Sequence, residues 1–387
     1  MARRLSTVAA AYQIAFAKVE KQTLSVLLNN VERRIPAAYV WDHKRHSTSP
    51  KTAPSLAPLI RWDPTQVTVN WSTGDQSEIS AEWLAKHFAI PEKQSQRFPG
   101  SNGKIHWGSD YFSKIPTFDF QTLLKNDQHL LDLFDQLESH GILLVSGAKA
   151  ESGQLRLLDA RFGWLRYTIN HAGYSNLMNV KTVENPTTLA NTGRRLHLHV
   201  DFPFVTYTTS FRCLHCIQQV PRPRAGAGWY CDGFAVADHL RKEDPRAFDI
   251  LSSYPIEFAD SAQREHVQFS TKSWHPMLKL DEDKKQVEGV YISNHAQSSR
   301  YLARLKPSLF EWYAAYYQYT RLLHDPRFVI EVKLEPGQIL VFENTRVLHG
   351  RPEFEARKGE VRHLESICFD RDAVYAKKRA LLAKKAA

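Results

Sequence analysis

His199, Val200 and Asp201 form the only His-x-Asp triplet in the chain. With 17 histidines present, about one such triplet is expected by chance, so it carries little weight alone. On a strand, residues i and i+2 point to the same face, so His199 and Asp201 would present an imidazole and a carboxylate side by side. These are two of the three groups of a 2-His-1-carboxylate metal centre. An incidental ion pair on a solvent-facing strand edge would read the same way. The segment Asn344-Thr345-Arg346-Val347-Leu348-His349-Gly350-Arg351 supplies the missing imidazole, His349, 148 residues after Asp201. Thirteen residues further on, Arg362 opens a predicted strand, where a buried guanidinium could grip a carboxylate through two parallel hydrogen bonds. Arg346 and Arg351 read equally well as surface charges. The ordered set of His, Asp, distant His and Arg is far more specific than any one member.

Short strands are the elements that would have to position these groups. Apolar β-type runs predict strands at 142–145, 200–206, 211–218, 277–280, 287–292, 328–332, 339–342 and 365–369. Pro336-Gly337 and the Gly-rich stretch 225–228 punctuate them. Helical spacing of Leu130, Leu133, Phe134 and Leu137 predicts a helix with Asp127 at its cap and Gly141 at its end. A second helix is predicted at 308–324, where Leu309, Trp312, Tyr316, Tyr319 and Leu323 make an aromatic stripe suited to core packing. Strands of this number and length argue for a mainly β sandwich or barrel with flanking helices.

Upstream, Val67, Val69 and Trp71 alternate, a short helix is predicted at 80–87, and 46–58 reads as a loop. The expected division is a basic tail at 1–18, a small β-rich domain at 19–98 and a larger domain at 99–387 that ends in a helical segment. The chain is 43% hydrophobic and 24% charged over 387 residues, which excludes disordered and collagen-like classes. No apolar run approaches the roughly 18 residues of a membrane-crossing helix. Residues 1–22 contribute +3 and 371–387 contribute +5 to the net charge of +10, leaving +2 for the middle. A nucleic-acid groove across the core therefore has little compositional support. Four cysteines, Cys213, Cys216, Cys231 and Cys368, are too few for a disulfide framework and fit a reducing, cytoplasmic setting. Arg3, Arg4 and Lys18, with no acid among the first 19 residues, leave a mitochondrial or other targeting segment as the alternative to a solvated tail.

With these residues in place the sequence resembles the Fe(II)- and 2-oxoglutarate-dependent dioxygenases. The likeness is to the taurine dioxygenase-like branch that contains γ-butyrobetaine hydroxylase and trimethyllysine hydroxylase. It runs from about Trp107 to the C-terminus, more faintly upstream. Besides the two histidine segments it includes Leu214-His215-Cys216-Ile217, Asp232-Gly233-Phe234, the stretch 247–253 and Arg362-His363-Leu364-Glu365. The resemblance implies a double-stranded β-helix, or jelly roll, with Fe(II) held by His199, Asp201 and His349. Arg362 would bind the distal carboxylate of 2-oxoglutarate. Three protein ligands leave iron positions for the keto acid and O2, and the cofactors supply the oxidising power as 2-oxoglutarate becomes succinate and carbon dioxide. Ascorbate is the implied reductant.

The resemblance also locates departures. The carnitine-pathway members hold a trimethylammonium group in an aromatic cage through cation–π attraction. The segment 185–195 has no aromatic residue, and the position of another cage tyrosine is Cys368; Tyr174 is the one candidate survivor. The expected substrate is therefore a small, amino-acid-derived or carboxylated molecule, not a trimethylammonium compound, in a specialised pathway of secondary metabolism. Hydroxylation is the expected outcome, with desaturation or ring closure as alternatives. γ-Butyrobetaine or trimethyllysine hydroxylation proper and a noncatalytic jelly-roll binding protein are the competing readings. His171, Tyr174, Asn294 and His295 fall in segments that resemble substrate-pocket walls, and His197, two residues before His199 on the expected strand, would share a face with His199 and Asp201 and either contact substrate or stack beside the ligand. Trp41-Asp42-His43-Lys44-Arg45-His46 lacks the cysteines of the relatives' structural zinc site, so no structural zinc is expected. Cys213 and Cys216 read as core packing. Expected partners are a small-molecule substrate and, by resemblance, a second copy in a homodimer, with neither nucleic acid nor membrane; the C-terminal segment with Val374, Leu381 and Leu382 could serve that interface or simply cover the barrel.

Overall fold

The computed structural model describes residues 13–20, 23–36, 40, 56–88, 103–170, 173–182, 189–264, 267–298, 308–355, 357 and 359–386. The chain divides into two compact units, Met1–Arg97 and Phe98–Ala387. The first unit contains two three-stranded antiparallel sheets. One is β1 (Ile14–Glu20), β2 (Thr23–Leu28) and β3 (Val31–Pro36), the other β4 (Leu56–Trp62), β5 (Gln66–Trp71) and β6 (Gln76–Ser80). Alternation on β5 buries Val67, Val69 and Trp71 together with Leu24, Val26 and Leu84. The helix Ala81–Phe88 starts where the Ser80 hydroxyl accepts from the Trp83 N–H. Strand β4 begins inside the predicted loop at 46–58, of which residues 46–55 lie outside the described residues.

The second unit is mostly β with packed helices. In chain order its strands are β7 (Thr117–Asp119), β8 (Ile142–Ser146), β9 (Thr168–Asn170), β10 (Gly173–Ser175), β11 (Met178–Lys181), β12 (Leu196–His199), β13 (Phe211–Gln218) and β14 (Gly228–Asp232). Then follow β15 (Ile256–Arg264), β16 (Val267–His275), β17 (Leu278–Leu280), β18 (Val287–Val290), β19 (Val329–Val332), β20 (Ile339–Glu343), β21 (Val347–Arg351) and β22 (His363–Phe369). A six-stranded sheet runs β11-β22-β13-β20-β8-β7 and a four-stranded sheet runs β12-β21-β14-β19. Leu214, Cys216, Leu340, Phe342 and Leu364 from the larger sheet share one buried cluster with Tyr230, Ile330, Val332 and Val347 from the smaller. The two sheets therefore meet across an apolar layer.

Strand alternation sends the intervening residues the other way. Cys213, Val341, Ile367 and Phe369 pack under helices that contribute Leu130, Leu133, Phe134, Val374 and Leu381. Leu198, Cys231 and Leu348 pack under helices carrying Phe234, Trp312, Tyr316 and Tyr319. The C-terminal helix Arg371–Ala386 thus covers the larger sheet through Val374 and Leu381, while Leu382 is exposed. The aromatic stripe of the helix Leu309–Leu323 is core, and Ser308 opens that helix with a capping box to Glu311.

Several local expectations need correcting. Asn126, not Asp127, caps the helix Asp127–His140, its side chain accepting from the His129 N–H at 3.0 Å; Gly141 ends that helix with φ +75°. The strand expected at 200–206 is absent: β12 stops at His199, Phe202 takes φ +58° and Pro203 follows. A proline has no N–H for a ladder, so the chain leaves the sheet there. Conversely, His349 lies within a strand, β21, and Arg362 immediately precedes β22. The hairpin β15–β16 and the helices Gly233–Glu243 and Pro245–Ser253 were not anticipated.

Candidate metal and keto-acid site

Strands β12 and β21 pair antiparallel with His199 opposite His349. That register brings the two rings to 4.4 Å between centroids. Gly350 is what permits it. A Cβ there would stand 2.6 Å from the Leu196 carbonyl oxygen and 3.0 Å from the His197 carbonyl carbon, so any side chain would push the strands apart.

Asp201 reaches the histidines from the loop after β12. Asn344, fully buried, holds that loop with its amide. Its Oδ1 accepts from the Asp201 N–H at 3.0 Å, and its Nδ2 donates to the Asp201 and Thr209 carbonyl oxygens, each at 3.0 Å. Asp201 Oδ1 then lies 3.5 Å from His199 Nε2, and Asp201 Oδ2 lies 3.1 Å from His349 Nε2. Ligand atoms of all three residues fall within 4.8 Å of one another. Donors ~2.1 Å from one ion and at right angles to each other would be ~3 Å apart, so the donor set fits a metal ion.

The electrostatics agree. Burial pushes the His199 imidazole down to about 4, and burial first, then the proximity of His199 and of the Arg212 guanidinium, holds His349 well below its usual range. Both rings are therefore neutral at physiological pH, as ligands must be. The His199 Nδ1–H donates to the His197 carbonyl at 2.9 Å, leaving Nε2 with its lone pair toward Asp201. His349 Nδ1 is buried with no hydrogen-bond partner among the described residues.

Arg362 is buried, and its Nε donates to the Gly226 carbonyl at 3.0 Å. Among the described residues no carboxylate pairs with it; burial lowers its pKa, and Tyr230 and Cys216 are its electrostatic neighbours. A buried guanidinium without a counter-ion is costly, and a carboxylate ligand is the group that would balance it. Gly226 has φ +75°, and a Cβ there would press on Arg362 Cδ at 3.1 Å and on the Gln219 side chain.

Arg346 and Arg351 are not surface charges. Arg346 is fully buried in an ion pair with Asp232 at 2.9 Å and donates to the Ser139 and Ile105 carbonyls. It thereby pins the start of β21. Arg351 donates to the carbonyl oxygens of Ala190, Thr192 and Arg194, clamping the approach to β12.

Of the expected pocket residues, His197 and Asn294 line a cavity of about 800 Å³ with Arg195, Tyr316, Tyr317 and His324. The Tyr316 hydroxyl donates to Asn294 Oδ1 at 2.7 Å. His197 is exposed and meets His324 edge to face at 5.7 Å. The pairing irregularity between Leu196 and His199 separates it from its expected shared face with His199. His295 stands 5.4 Å, ring to ring, from His199. Tyr174 lies on β10, with its side chain outside the described residues; His171 and the segment 41–46 lie outside them as well.

Two contributors escaped the sequence reading. One is the Asn344 amide, whose role depends on a loop conformation. The other is Arg212 on β13, buried, with Nε donating to Ser366 Oγ at 2.9 Å and Nη1 against Asp201 Oδ2. Its signal was a lone cation in the apolar run Phe211-Arg212-Cys213-Leu214.

Residues 95–368 match the taurine catabolism dioxygenase TauD, TfdA family. The γ-butyrobetaine dioxygenase of Pongo abelii is 31% identical over 330 residues, covering 83% of this chain and 81% of its own. The mitochondrial trimethyllysine dioxygenase of Bos taurus is 26% identical over 345 residues, covering 84% and 78%. A solved structure of the non-heme iron oxygenase OrfP with Fe and α-ketoglutaric acid aligns with a TM-score of 0.50 at 15% identity, covering 69% of this chain and 87% of that one. It shares the fold. A family match across most of the second unit and a converged His-Asp-His donor set lead to the same place: the chain belongs to the TauD/TfdA family and is an Fe(II)- and 2-oxoglutarate-dependent dioxygenase.

Proposed function

We propose that the second unit is a jelly-roll oxygenase domain in which His199, Asp201 and His349 hold Fe(II) and Arg362 holds the distal carboxylate of 2-oxoglutarate. Its substrate is a small carboxylated, amino-acid-derived molecule, oxidised by hydroxylation. The observation that carries this reading is the meeting of two neutral imidazoles and one carboxylate within 4.8 Å, in the same buried interior as a guanidinium that lacks a described counter-ion. The two sheets sharing one apolar layer support the jelly roll. A division into a basic tail at 1–18, a small β-rich domain at 19–98 and the oxygenase domain at 99–387, and a homodimer, are part of the same proposal.

The iron and keto acid supply the oxidising equivalents when bound. The chain's own groups do the rest. Asn344 fixes Asp201, the His197 carbonyl sets the His199 tautomer, and the β12–β21 register sets the spacing of the imidazoles. Arg362 orients one end of the keto acid through charge-assisted hydrogen bonds. Packing of Phe342 at 5.0 Å from the His349 ring keeps water from that side of the centre.

The second reading, a trimethylammonium carboxylate substrate, is favoured by the named activities of the relatives. The first reading rests on Cys368 and the segment 185–195, which put no aromatic ring at two positions where the resemblance expects cage residues. Anaerobic addition of Fe(II) and 2-oxoglutarate tests the site through the charge-transfer band of the complex, present in wild type and absent in His199→Ala. A wild type without the band would overturn the assignment. Succinate release with amino acids, small carboxylates, γ-butyrobetaine and trimethyllysine then tests the substrate class. Turnover confined to the last two would overturn the first reading in favour of the second.

A further inference from the structure

Arg212 is the buried charge that the metal and keto-acid assignments leave unused. Alternation on β13 points it to the same side as Leu214 and Cys216, into the layer between the two sheets. Its position is fixed at several points. Nε donates to Ser366 Oγ at 2.9 Å, Nη1 rests against Asp201 Oδ2, and the guanidinium lies 6.0 Å from the centre of the Phe202 ring. Opposite it on β22 is Cys368, and Ser366 stands two residues before. Both are small side chains.

The neighbours do not balance it. Burial raises the Cys213 and Cys368 thiols and pushes the Tyr230 hydroxyl up to about 12, so all three are neutral at physiological pH. Asp201 is the one described carboxylate paired with Arg212, and its charge is shared with the metal site. Once the centre is loaded, a divalent iron, Arg212 and Arg362 together outweigh Asp201 and a doubly charged keto acid by one positive charge. Arg351, which is clamped by carbonyl oxygens rather than a carboxylate, adds to that excess. An uncompensated cation in a desolvated interior is expensive unless an anion joins it.

We propose that Arg212 is a substrate-binding residue whose guanidinium receives a carboxylate of the substrate beside the iron centre. This rests on the oxygenase reading above and names the side chain that selects for the acidic group. An arginine suits the task because its fork stays charged when buried and can bind a carboxylate while still touching Asp201.

The test uses the full chain, loaded without oxygen with Fe(II) and saturating 2-oxoglutarate, as wild type, Arg212→Lys and Arg212→Gln. Butyrate and its neutral counterpart butyramide are titrated while the charge-transfer band is followed, with urea unfolding as a check that each variant folds. Wild type is expected to bind butyrate at least tenfold more tightly than butyramide. Arg212→Gln should lose that preference and Arg212→Lys should recover part of it, each variant being compared at Fe(II) and 2-oxoglutarate concentrations that saturate it. Equal binding of butyrate and butyramide by wild type, or an unchanged preference in Arg212→Gln, overturns the proposal. Loss of iron affinity in both variants with the butyrate preference intact also overturns it, making Arg212 a positioning residue for Asp201. A wild type that shows no band at all instead refutes the oxygenase reading, so the two failures are distinct.

Discussion

Replacing Asn344 with leucine keeps most of the side-chain volume and removes the amide that ties the Asp201 loop to the end of β20. Three hydrogen bonds of 3.0 Å disappear, two of them to the backbone of Asp201 and one to the Thr209 carbonyl. At roughly 0.5–1.5 kcal/mol net for each bond, the variant should lose about 2–4 kcal/mol of unfolding free energy. The larger signal is in the metal. Groups that orient a metal ligand are typically worth about 10–100-fold in affinity, and here the oriented ligand is the single carboxylate of the centre. Asn344→Asp should be as damaging, because its second carboxylate oxygen would face the Asp201 and Thr209 carbonyls where Nδ2 now donates. Urea unfolding reads the first effect, and anaerobic Fe(II) titration in the presence of 2-oxoglutarate reads the second. If Asn344→Leu loses stability as stated yet binds Fe(II) within about twofold of wild type, the amide supports the fold but does not aim Asp201.

The glycine between His349 and Arg351 offers a sharper geometric test: Gly350→Ala places a Cβ 2.6 Å from the Leu196 carbonyl oxygen, and Fe(II) affinity should fall at least tenfold. Unchanged affinity would mean that β12 and β21 can part without disturbing the histidines. For Arg362→Ala, loss of a buried charge-assisted carboxylate contact of ~2–4 kcal/mol should raise the 2-oxoglutarate requirement about 30- to 1000-fold, with far less effect on iron. Equal loss of both would show that the arginine is misassigned. Glu343 gives a pH dependence: burial alone would raise its carboxyl, but Lys104 at 3.0 Å, Arg371 at 2.5 Å and Arg346 outweigh that and hold it at about 2. Its folded pKa lies below the usual 4.5, so its contribution is complete above that value and is lost as pH falls toward 2. The stability difference between wild type and Glu343→Gln should therefore shrink across that interval, and a constant difference would refute the argument.

Alternation and helical spacing made much of the architecture legible in advance. The strand at 211–218 was recovered with its exact ends, and the helix 309–323 was recovered to within one residue at each end. Such segments bury one complete face, so their apolar pattern is strong. The hairpin β15–β16 was not readable, because its exposed positions carry polar residues such as Ser261, Gln263, Gln268 and Lys272 while polar Glu257 and Ser273 occupy buried ones, leaving little contrast of the kind that marks a core strand. The break after His199 was missed for a different reason. Pro203 was visible, but the residues before it still read as a strand, and the chain's exit depends on Asn344, 143 residues away.

Residue types and their order along the chain determined the chemistry: two imidazoles, a carboxylate and a later guanidinium form a set whose members are specific only together. Tertiary structure decided which atoms meet. The β12–β21 register sets His199 opposite His349, and a distant amide swings Asp201 in from a loop rather than from the strand face that i, i+2 spacing implied. It also turned Arg346 and Arg351 from apparent surface charges into buried clamps, and placed Arg212 against the Asp201 carboxylate. Burial and pairing depend on what folds over a residue, and contacts at that sequence separation leave no trace in local pattern.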